Sequence, residues 1–278
     1  MILGIVSCRI FENELVQLLK EHIHFSNIFS EVEIFVHKDD TSFKFIEKLS
    51  SQNISHFCYS DFGEIEKKSV FKSDLDKLLI FIHLIPFSME ARPDIIKETV
   101  YPVISKYTEI SDAVFVMYGM CGNVLGYVEI DLGTDSCPVF ILKNKDGSVV
   151  DDCICASVGG KDNFIEIVSS QERGVGIYFL TPMQAVYWKE ISVASMLTPD
   201  PDDEEMLRMI FEYSGYKYAG KIKSDLDFDN QYDEKTEEFS KKSNLEILHV
   251  PGSFKIFLEN FKRVENFLLT KHEKLKTE

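Results

Sequence analysis

The segment DAVFVMYGMCGN, residues 112–123, holds the pattern that decides the fold. It begins as an uninterrupted apolar run and ends in a turn, where Gly119 and Gly122 flank Cys121 and Asn123 follows. A continuous apolar run is typical of a parallel strand buried on both faces. Glycine and asparagine permit a sharp turn where such a strand ends. The segment therefore predicts a central strand that presents Cys121 in the loop after it.

The same pattern recurs along the chain. Short apolar runs alternate with stretches whose apolar residues have helical spacing. The other clearest runs are ILGIVSC (2–8), VEIFVH (32–37), PVFILKN (138–144), GIYFL (176–180) and LEILHV (245–250). Strands that alternate with helices indicate an α/β fold of the doubly wound type, with mostly parallel sheets built from Rossmann-like strand–loop–helix units. In such folds ligands bind beyond the carboxyl ends of the strands.

The length of 278 residues allows one domain or two. We expect a single domain over 1–278, or two α/β lobes of about 1–110 and 111–270. The stretch 223–244 is the most polar part of the chain and predicts a surface excursion. The charged tail at 271–278 predicts frayed structure.

Charge and composition exclude several classes of protein. Acidic residues outnumber basic ones by 46 to 30, for a net charge of -16, which argues against nucleic-acid binding and against anionic membranes. No segment has the roughly 20 apolar residues that cross a membrane. The apolar start runs directly into Glu12 and Glu14 and does not resemble a signal peptide. The six cysteines then indicate thiols in a reducing cytoplasm.

Reactive residue types follow the predicted strands. Cys8, Cys121, Thr181 and Ser253 each stand at or just after a strand end, and Cys153 follows two aspartates. Helix N-termini at Cys8, Thr181 and Ser253 would favour an anionic ligand or a thiolate.

The remaining cysteines and the histidines carry weaker signals. Cys58, Cys137 and Cys155 are interpreted as buried packing residues. His37, near two aspartates, and His249, before a Pro-Gly turn, are site candidates. The chain has no dinucleotide-binding glycine fingerprint, no P-loop and no nucleophile elbow.

Four motifs taken together resemble a known family. DAVFVMYGMCGN, DDCI, YFLTP and HVPGS occur in the order found in the archaeal and bacterial domain-of-unknown-function family sixteen-thirty-eight (DUF1638). The resemblance implies that the functional cysteines are Cys8, Cys121 and Cys153. It also implies polar residues beside them, which are Asn123, Asp152, Thr181 and the Pro251–Gly252 turn.

The resemblance has departures. Val124 stands where the family has a glycine, Asp151 where it has a histidine, and Met183–Gln184 where it has Gly-Trp. Family members often accompany corrinoid-dependent methyl-transfer systems. That association implies a methyltransferase or a corrinoid protein as partner, and a corrinoid-related ligand.

Three hypotheses of function follow. In the first, Cys8, Cys121 and Cys153 bind Zn²⁺ or an iron–sulfur cluster, and Asp152 or Asp151 completes or tunes the site. A zinc–thiolate centre would suit methyl transfer to a thiol.

The second hypothesis needs no metal. A small anionic or cobamide-like ligand would bind at helix N-termini near Thr181 and Gly252–Ser253, with Asn123 close by and Cys121 lining the pocket. In the third hypothesis Cys121 performs thiol redox or nucleophilic chemistry.

Overall fold

The computed structural model describes residues 1–21, 29–64, 76–87 and 93–277. Within these ranges the chain forms two parallel sheets. The strands are β1 (Ile2–Cys8), β2 (Glu31–His37), β3 (Phe57–Tyr59), β4 (Lys77–Ile85), β5 (Ala113–Met117), β6 (Val139–Ile141), β7 (Gly176–Leu180), β8 (Tyr216–Lys223) and β9 (Glu246–Pro251). A 3-10 turn over Arg9–Phe11 follows β1.

The helices connect and cover these strands. They are α1 (Glu12–Glu21), α2 (Phe43–Ser51), α3 (Pro93–Ile110), α4 (Val128–Leu132), α5 (Cys153–Ser157), α6 (Lys161–Ser169), α7 (Pro182–Val186), α8 (Trp188–Ala194), α9 (Glu204–Tyr213), α10 (Tyr232–Ser243) and α11 (Lys255–Thr277). Pro102 lies inside α3 without ending it. Among the helices of the described ranges, none combines the length and the apolar character that a membrane span requires.

The first sheet has the order β3-β2-β4-β1-β5-β6, and its strand pairs are parallel. Its central strands β4, β1 and β5 are buried on both faces, as their continuous apolar runs predict. Leu3 and Ile5 pack with α1 and α11 on one face, while Ile2 and Val6 pack with α3 on the other. This arrangement confirms the predicted doubly wound α/β fold.

The second sheet has the order β7-β8-β9 and is also parallel. Leu180, Trp188, Phe211 and Phe239 form its core with the flanking helices. The chain changes sheets between β6 and β7, and α11 returns to the core of the first sheet. The lobe boundary expected near residue 110 falls between α3, which packs on the first sheet, and β5, which is a strand of that sheet.

Two local expectations need correction. The polar stretch 223–244 is not only a surface excursion, because α10 buries Tyr232 and Phe239 against the second sheet. The hydroxyl of Tyr232 contacts the carbonyls of Leu180 and Ile222 at 2.7 and 2.8 Å. Two aromatic residues seven positions apart are enough to anchor an otherwise polar helix. In the tail, α11 continues to Thr277 instead of ending near 271, although residues 273–277 are exposed.

Candidate functional site

A cavity of about 340 Å³ lies at the carboxyl ends of β1 and β5. The chain leaves β1 toward β2 on one side of the sheet and leaves β5 toward β6 on the other. Where neighbouring strands send their connections in opposite directions, a crevice opens between them. Cys8, Cys121 and Cys153 all line this cavity, so the structure brings the three predicted cysteines to one place.

The loop that carries Cys121 has an unusual backbone. Cys121, Gly122 and Asn123 are consecutive left-handed residues, with φ of 44°, 71° and 66°. The carbonyl of Met120 accepts hydrogen bonds from the amides of Val124 and Leu125 at 3.0 and 3.1 Å. A left-handed cysteine is strained, and such strain persists where surrounding structure enforces it, commonly at functional sites.

Hydrogen bonds hold this loop against the segment that precedes Cys153. The amide of Met120 donates to the carbonyl of Val150 at 2.7 Å, and the amide of Cys121 donates to the carbonyl of Asp151 at 3.2 Å. A Cβ atom at Gly119 would lie 2.6 Å from the Val150 carbonyl oxygen, so this close approach requires glycine. The position of Cys121 is therefore tied to that of Cys153.

Asp152 orients the third cysteine. Its side chain caps α5 by accepting a hydrogen bond from the Cys155 amide at 2.8 Å, and Cys153 is the first residue of that helix. Burial raises the pKa of the Asp152 carboxyl group, while the hydrogen bonds from the Cys155 and Ile154 amides act in the opposite direction. Asp152 lines the cavity as well, beside Asp151.

The second half of the chain closes the cavity. Gln184 donates a long contact of 3.9 Å from Nε2 to the Cys153 sulfur. Its side chain is held by a capping box with Thr181, in which Oε1 accepts from the Thr181 amide at 2.9 Å. Apolar walls come from Phe11, Pro86 and Ile191.

The three cysteine side chains suit a thiophilic ion, but their sulfur atoms lie too far apart to share one in this conformation. Among the described residues, a set of three ligand atoms lying within 4.8 Å of one another occurs at His37, Asp39 and His83, and the three cysteine sulfurs do not meet this limit. Zinc–sulfur bonds of about 2.3 Å need sulfurs roughly 4 Å apart. Binding would therefore require rotation of at least one cysteine side chain toward the cavity centre.

Thr181, Gly252 and Ser253 line a separate cavity of about 300 Å³ at the carboxyl ends of the second sheet. The Thr181 hydroxyl is engaged in its helix cap, where it accepts from the Gln184 amide at 3.2 Å. A Cβ at Gly252 would lie 2.2 Å from the Lys223 carbonyl oxygen, so β8 and the end of β9 approach closely only with glycine there.

Carboxyl groups dominate the charge of this second cavity. Glu14, Glu21 and Asp225 line it, with Lys223 as a basic neighbour. Burial raises the pKa of Glu14 to about 7. These acids favour a cationic or neutral ligand over the anionic one that helix N-termini alone suggested.

Other predicted residues lie elsewhere. Asn123 is exposed and borders a surface cleft with Lys97 and Tyr101, away from the cysteine cavity. His249 is exposed too.

The remaining cysteines divide between core and surface. Cys137 and Cys155 are buried as predicted, and burial raises the pKa of Cys155 to about 11. Cys58 is exposed, contrary to prediction, because β3 is an edge strand.

Sequence reasoning missed His83. It interrupts the apolar run LLIFIHLI and lies beside His37 on the neighbouring strand. The available signal was a lone polar residue within a strand otherwise made of large apolar side chains.

Comparison with known proteins gives one match. No curated protein and no solved structure matches the chain at a significant level. The family model described as "Protein of unknown function (DUF1638)" matches residues 84–260, more than half of the chain. That range includes Cys121 and Cys153 and leaves Cys8 outside it. The chain therefore belongs to the DUF1638 family of proteins of unknown function.

Proposed function

We propose that this protein binds a thiophilic metal ion in the cavity at the carboxyl ends of β1 and β5. Zn²⁺ is the first choice, and an iron–sulfur cluster is the alternative with the same ligands. The observation that carries the proposal is the shared cavity of Cys8, Cys121 and Cys153, which come from three distant parts of the chain. None of the other three cysteines lines it.

The donor set suggests what such an ion would do. Thiolate ligands select zinc and iron–sulfur centres over hard cations. Three protein ligands around zinc leave a fourth position open, which is typical of catalytic rather than structural sites. Asp151 and Asp152 lie on the cavity wall, where a carboxylate tunes the charge of the site.

A reaction class follows from this chemistry and from the family association. A zinc–thiolate centre keeps a bound thiol deprotonated near neutral pH, which suits one-carbon transfer to that thiol. A methyltransferase or a corrinoid protein is then the expected partner, and a reducing cytoplasm the expected location. In this proposal, Gln184 and the apolar walls exclude water around Cys153, and the strained loop holds Cys121 toward the cavity.

Elemental analysis of anaerobically purified protein tests the metal. We expect zinc or iron bound in the wild-type protein, and a loss of about one equivalent in the Cys121→Ser variant. Cys58→Ser is the matched control, because Cys58 is an exposed cysteine on an edge strand. A wild-type protein without metal after reconstitution with Zn²⁺ and with iron and sulfide, or equal metal content in Cys121→Ser, would contradict the proposal.

A second candidate function is metal-free binding of a small ligand in the second cavity. The observation that favours it is the shared position of Thr181, Gly252 and Ser253, together with the acidic wall. A thermal-shift screen of small amines and corrinoid fragments, run on wild type and on Glu14→Gln, is the test. Stabilisation that is unaffected by serine at Cys8, Cys121 and Cys153 supports this function, whereas no stabilisation by any compound opposes it.

The third hypothesis, thiol chemistry at Cys121, has its own readout. It predicts that Cys121 is alkylated at pH 7 much faster than the exposed Cys58. Mass spectrometry of the metal-free protein after a brief exposure to iodoacetamide measures both rates. Equal rates at the two positions would remove the hypothesis.

A further inference from the structure

Two histidines stand side by side on neighbouring strands of the first sheet. In the parallel register of β2 and β4, Val36 lies opposite Ile82, so His37 and His83 are adjacent one position later. Their rings stack with centroids 4.2 Å apart and planes 8° apart. Asp39 follows at the end of β2, with Oδ2 3.3 Å from Nδ1 of His37.

These three side chains have the composition and spacing of a metal site. One ligand atom from each lies within 4.8 Å of the others. The Nδ1 atoms of both histidines are buried. Nδ1 of His37 has the Asp39 carboxylate as its neighbour, whereas Nδ1 of His83 has no hydrogen bond. Buried polar atoms in folded proteins nearly always have a partner, and a bound ion is one accepted explanation when they do not.

Phe62 and Lys106 lie beside the histidine pair. Phe62 stacks on His83 with ring centroids 6.3 Å apart, and Nζ of Lys106 lies over the Phe62 ring, 5.1 Å from its centroid.

We propose that His37, Asp39 and His83 form a second metal site, which takes a borderline divalent cation such as Zn²⁺ or Co²⁺. Imidazole and carboxylate ligands suit these ions. Two imidazoles and one carboxylate leave a position open for water or a small ligand. The site uses no residue of the cysteine cavity, and it stands or falls independently of the function proposed above.

Binding has a structural consequence that distinguishes it from the stacked pair. Parallel rings direct their lone pairs side by side, whereas ligands around one ion must point at a common centre. The rings of His37 and His83 therefore tilt apart when the ion binds. Nitrogen chemical shifts of the two imidazoles report directly which lone pairs the ion engages.

The test uses a variant with serine at Cys8, Cys121 and Cys153, so that the cysteine cavity contributes no thiol. We expect calorimetric titration with Zn²⁺ to show one equivalent. We expect the Co²⁺ complex to lack sulfur-to-metal charge-transfer absorption. Adding His83→Ala or Asp39→Asn should weaken binding at least about tenfold, because a direct ligand matters no less than an outer-shell partner, whose loss costs about 10–100-fold.

Asp40→Asn and His249→Ala are the matched controls, because both residues are exposed and neither is in the cluster. If the serine variant does not fold, wild type is titrated with Zn²⁺ while the imidazole nitrogen shifts of His37 and His83 are followed. Absence of binding in the folded serine variant, unchanged affinity in His83→Ala, or unmoved imidazole shifts in wild type would overturn the proposal.

Discussion

The carboxyl ends of the two sheets carry different chemistry, although both sheets are parallel. The first sheet has thiols at Cys8 and Cys121, and helix α5, which follows β6, adds Cys153. The second collects hydroxyl and carboxyl groups, including Thr181 and Asp225. Topology decides where loop residues gather, whereas the residue type after each strand decides which ligand is favoured. The same fold rule therefore gives one thiol-lined edge and one acidic edge.

A buried ionic cluster joins the regions around these two edges. Nζ of Lys48 lies 2.7 Å from Asp229 and 3.1 Å from Glu12, and 2.8 Å from Oδ1 of Asn13. Glu12 and Lys48 belong to helices of the first sheet, while Asp229 follows the last strand residue of β8 by six positions. Desolvation raises the pKa of Glu12 and Lys48 lowers it in part.

Removing the charge of Lys48 should have the largest effect on the contact between the two regions. We expect Lys48→Met to lower the free energy of unfolding by about 3–5 kcal/mol, because it removes the cation that pairs with Asp229 and leaves the buried Glu12 with Arg9, 3.6 Å away. Denaturant unfolding at pH 7 measures the change. Lys44→Met is the control, since Lys44 pairs with Glu47 on the surface and should leave stability close to that of wild type. Equal free energies of unfolding in the two variants would show that the ionic cluster does not stabilise the contact between the regions.

Acidity should affect the second edge through Glu14. Burial raises its pKa from the ordinary 4.5 to about 7, so between these pH values the folded protein binds more protons than the unfolded chain. Stability contributed by this group is then present at low pH and lost as pH rises through the window, by about 3 kcal/mol in total. Glu14→Gln should remove this slope in denaturant titrations at pH 4.5, 6 and 8. A wild-type slope that persists in the variant would contradict the assignment.

Glycine substitutions compare the two edges by the same kind of clash. Gly119→Ala and Gly252→Ala each force a Cβ against a carbonyl oxygen, and each should cost about 1–3 kcal/mol. Only Gly119→Ala should also abolish the zinc binding proposed for the cysteine cavity, because it moves the Cys121 loop from Val150. Gly126→Ala is the control, since its Cβ would find its nearest atom at an ordinary 3.5 Å. Loss of zinc in Gly252→Ala would mean that the edges are coupled.

Helix caps give the smallest and most local comparison. Asp152 caps α5 beside the cysteine cavity, and Asp203 caps α9 in the second-sheet region by accepting from the Met206 amide. Alanine at either position should cost about 1 kcal/mol of stability. Of these two variants, only Asp152→Ala should lower the zinc affinity of the cysteine cavity. Asp152→Asn should restore the helix cap. Equal affinities in Asp152→Ala and Asp203→Ala would limit Asp152 to a structural role.

Some of this arrangement could be predicted from the sequence. The strands that end at Cys8 or shortly before Cys121 and Thr181 are short and almost wholly apolar, so their ends are clear in the sequence. The strand before Gly252 is marked instead by the Pro-Gly turn that ends it. The rule for parallel sheets then predicts that residues after them lie at carboxyl edges. The grouping of the three cysteines followed from this rule together with the family resemblance.

The rest depends on contacts that no local pattern encodes. The sequence does not say that β1 lies between β4 and β5, or that Thr181 and Ser253 belong to another sheet. The family resemblance implied that Asn123 lies beside the functional cysteines, but the left-handed turn directs it to the surface. His83 escaped notice because its neighbour, His37, is 46 positions away in the chain and adjacent only through strand pairing.

The central position of β1 has a consequence for biosynthesis. This first strand pairs with β4 and β5, and the amino group of Met1 donates a hydrogen bond to the carbonyl of Lys77, 76 positions away. At ribosomal rates of about 5–20 residues per second, its partners emerge on the order of ten seconds later. During that delay ILGIVSC is an unpaired apolar strand, the kind of segment that aggregates or engages chaperones. The core cluster on one face of the first sheet includes Phe257 and Phe261 of α11. The first sheet can therefore complete its core only after α11 has been synthesised.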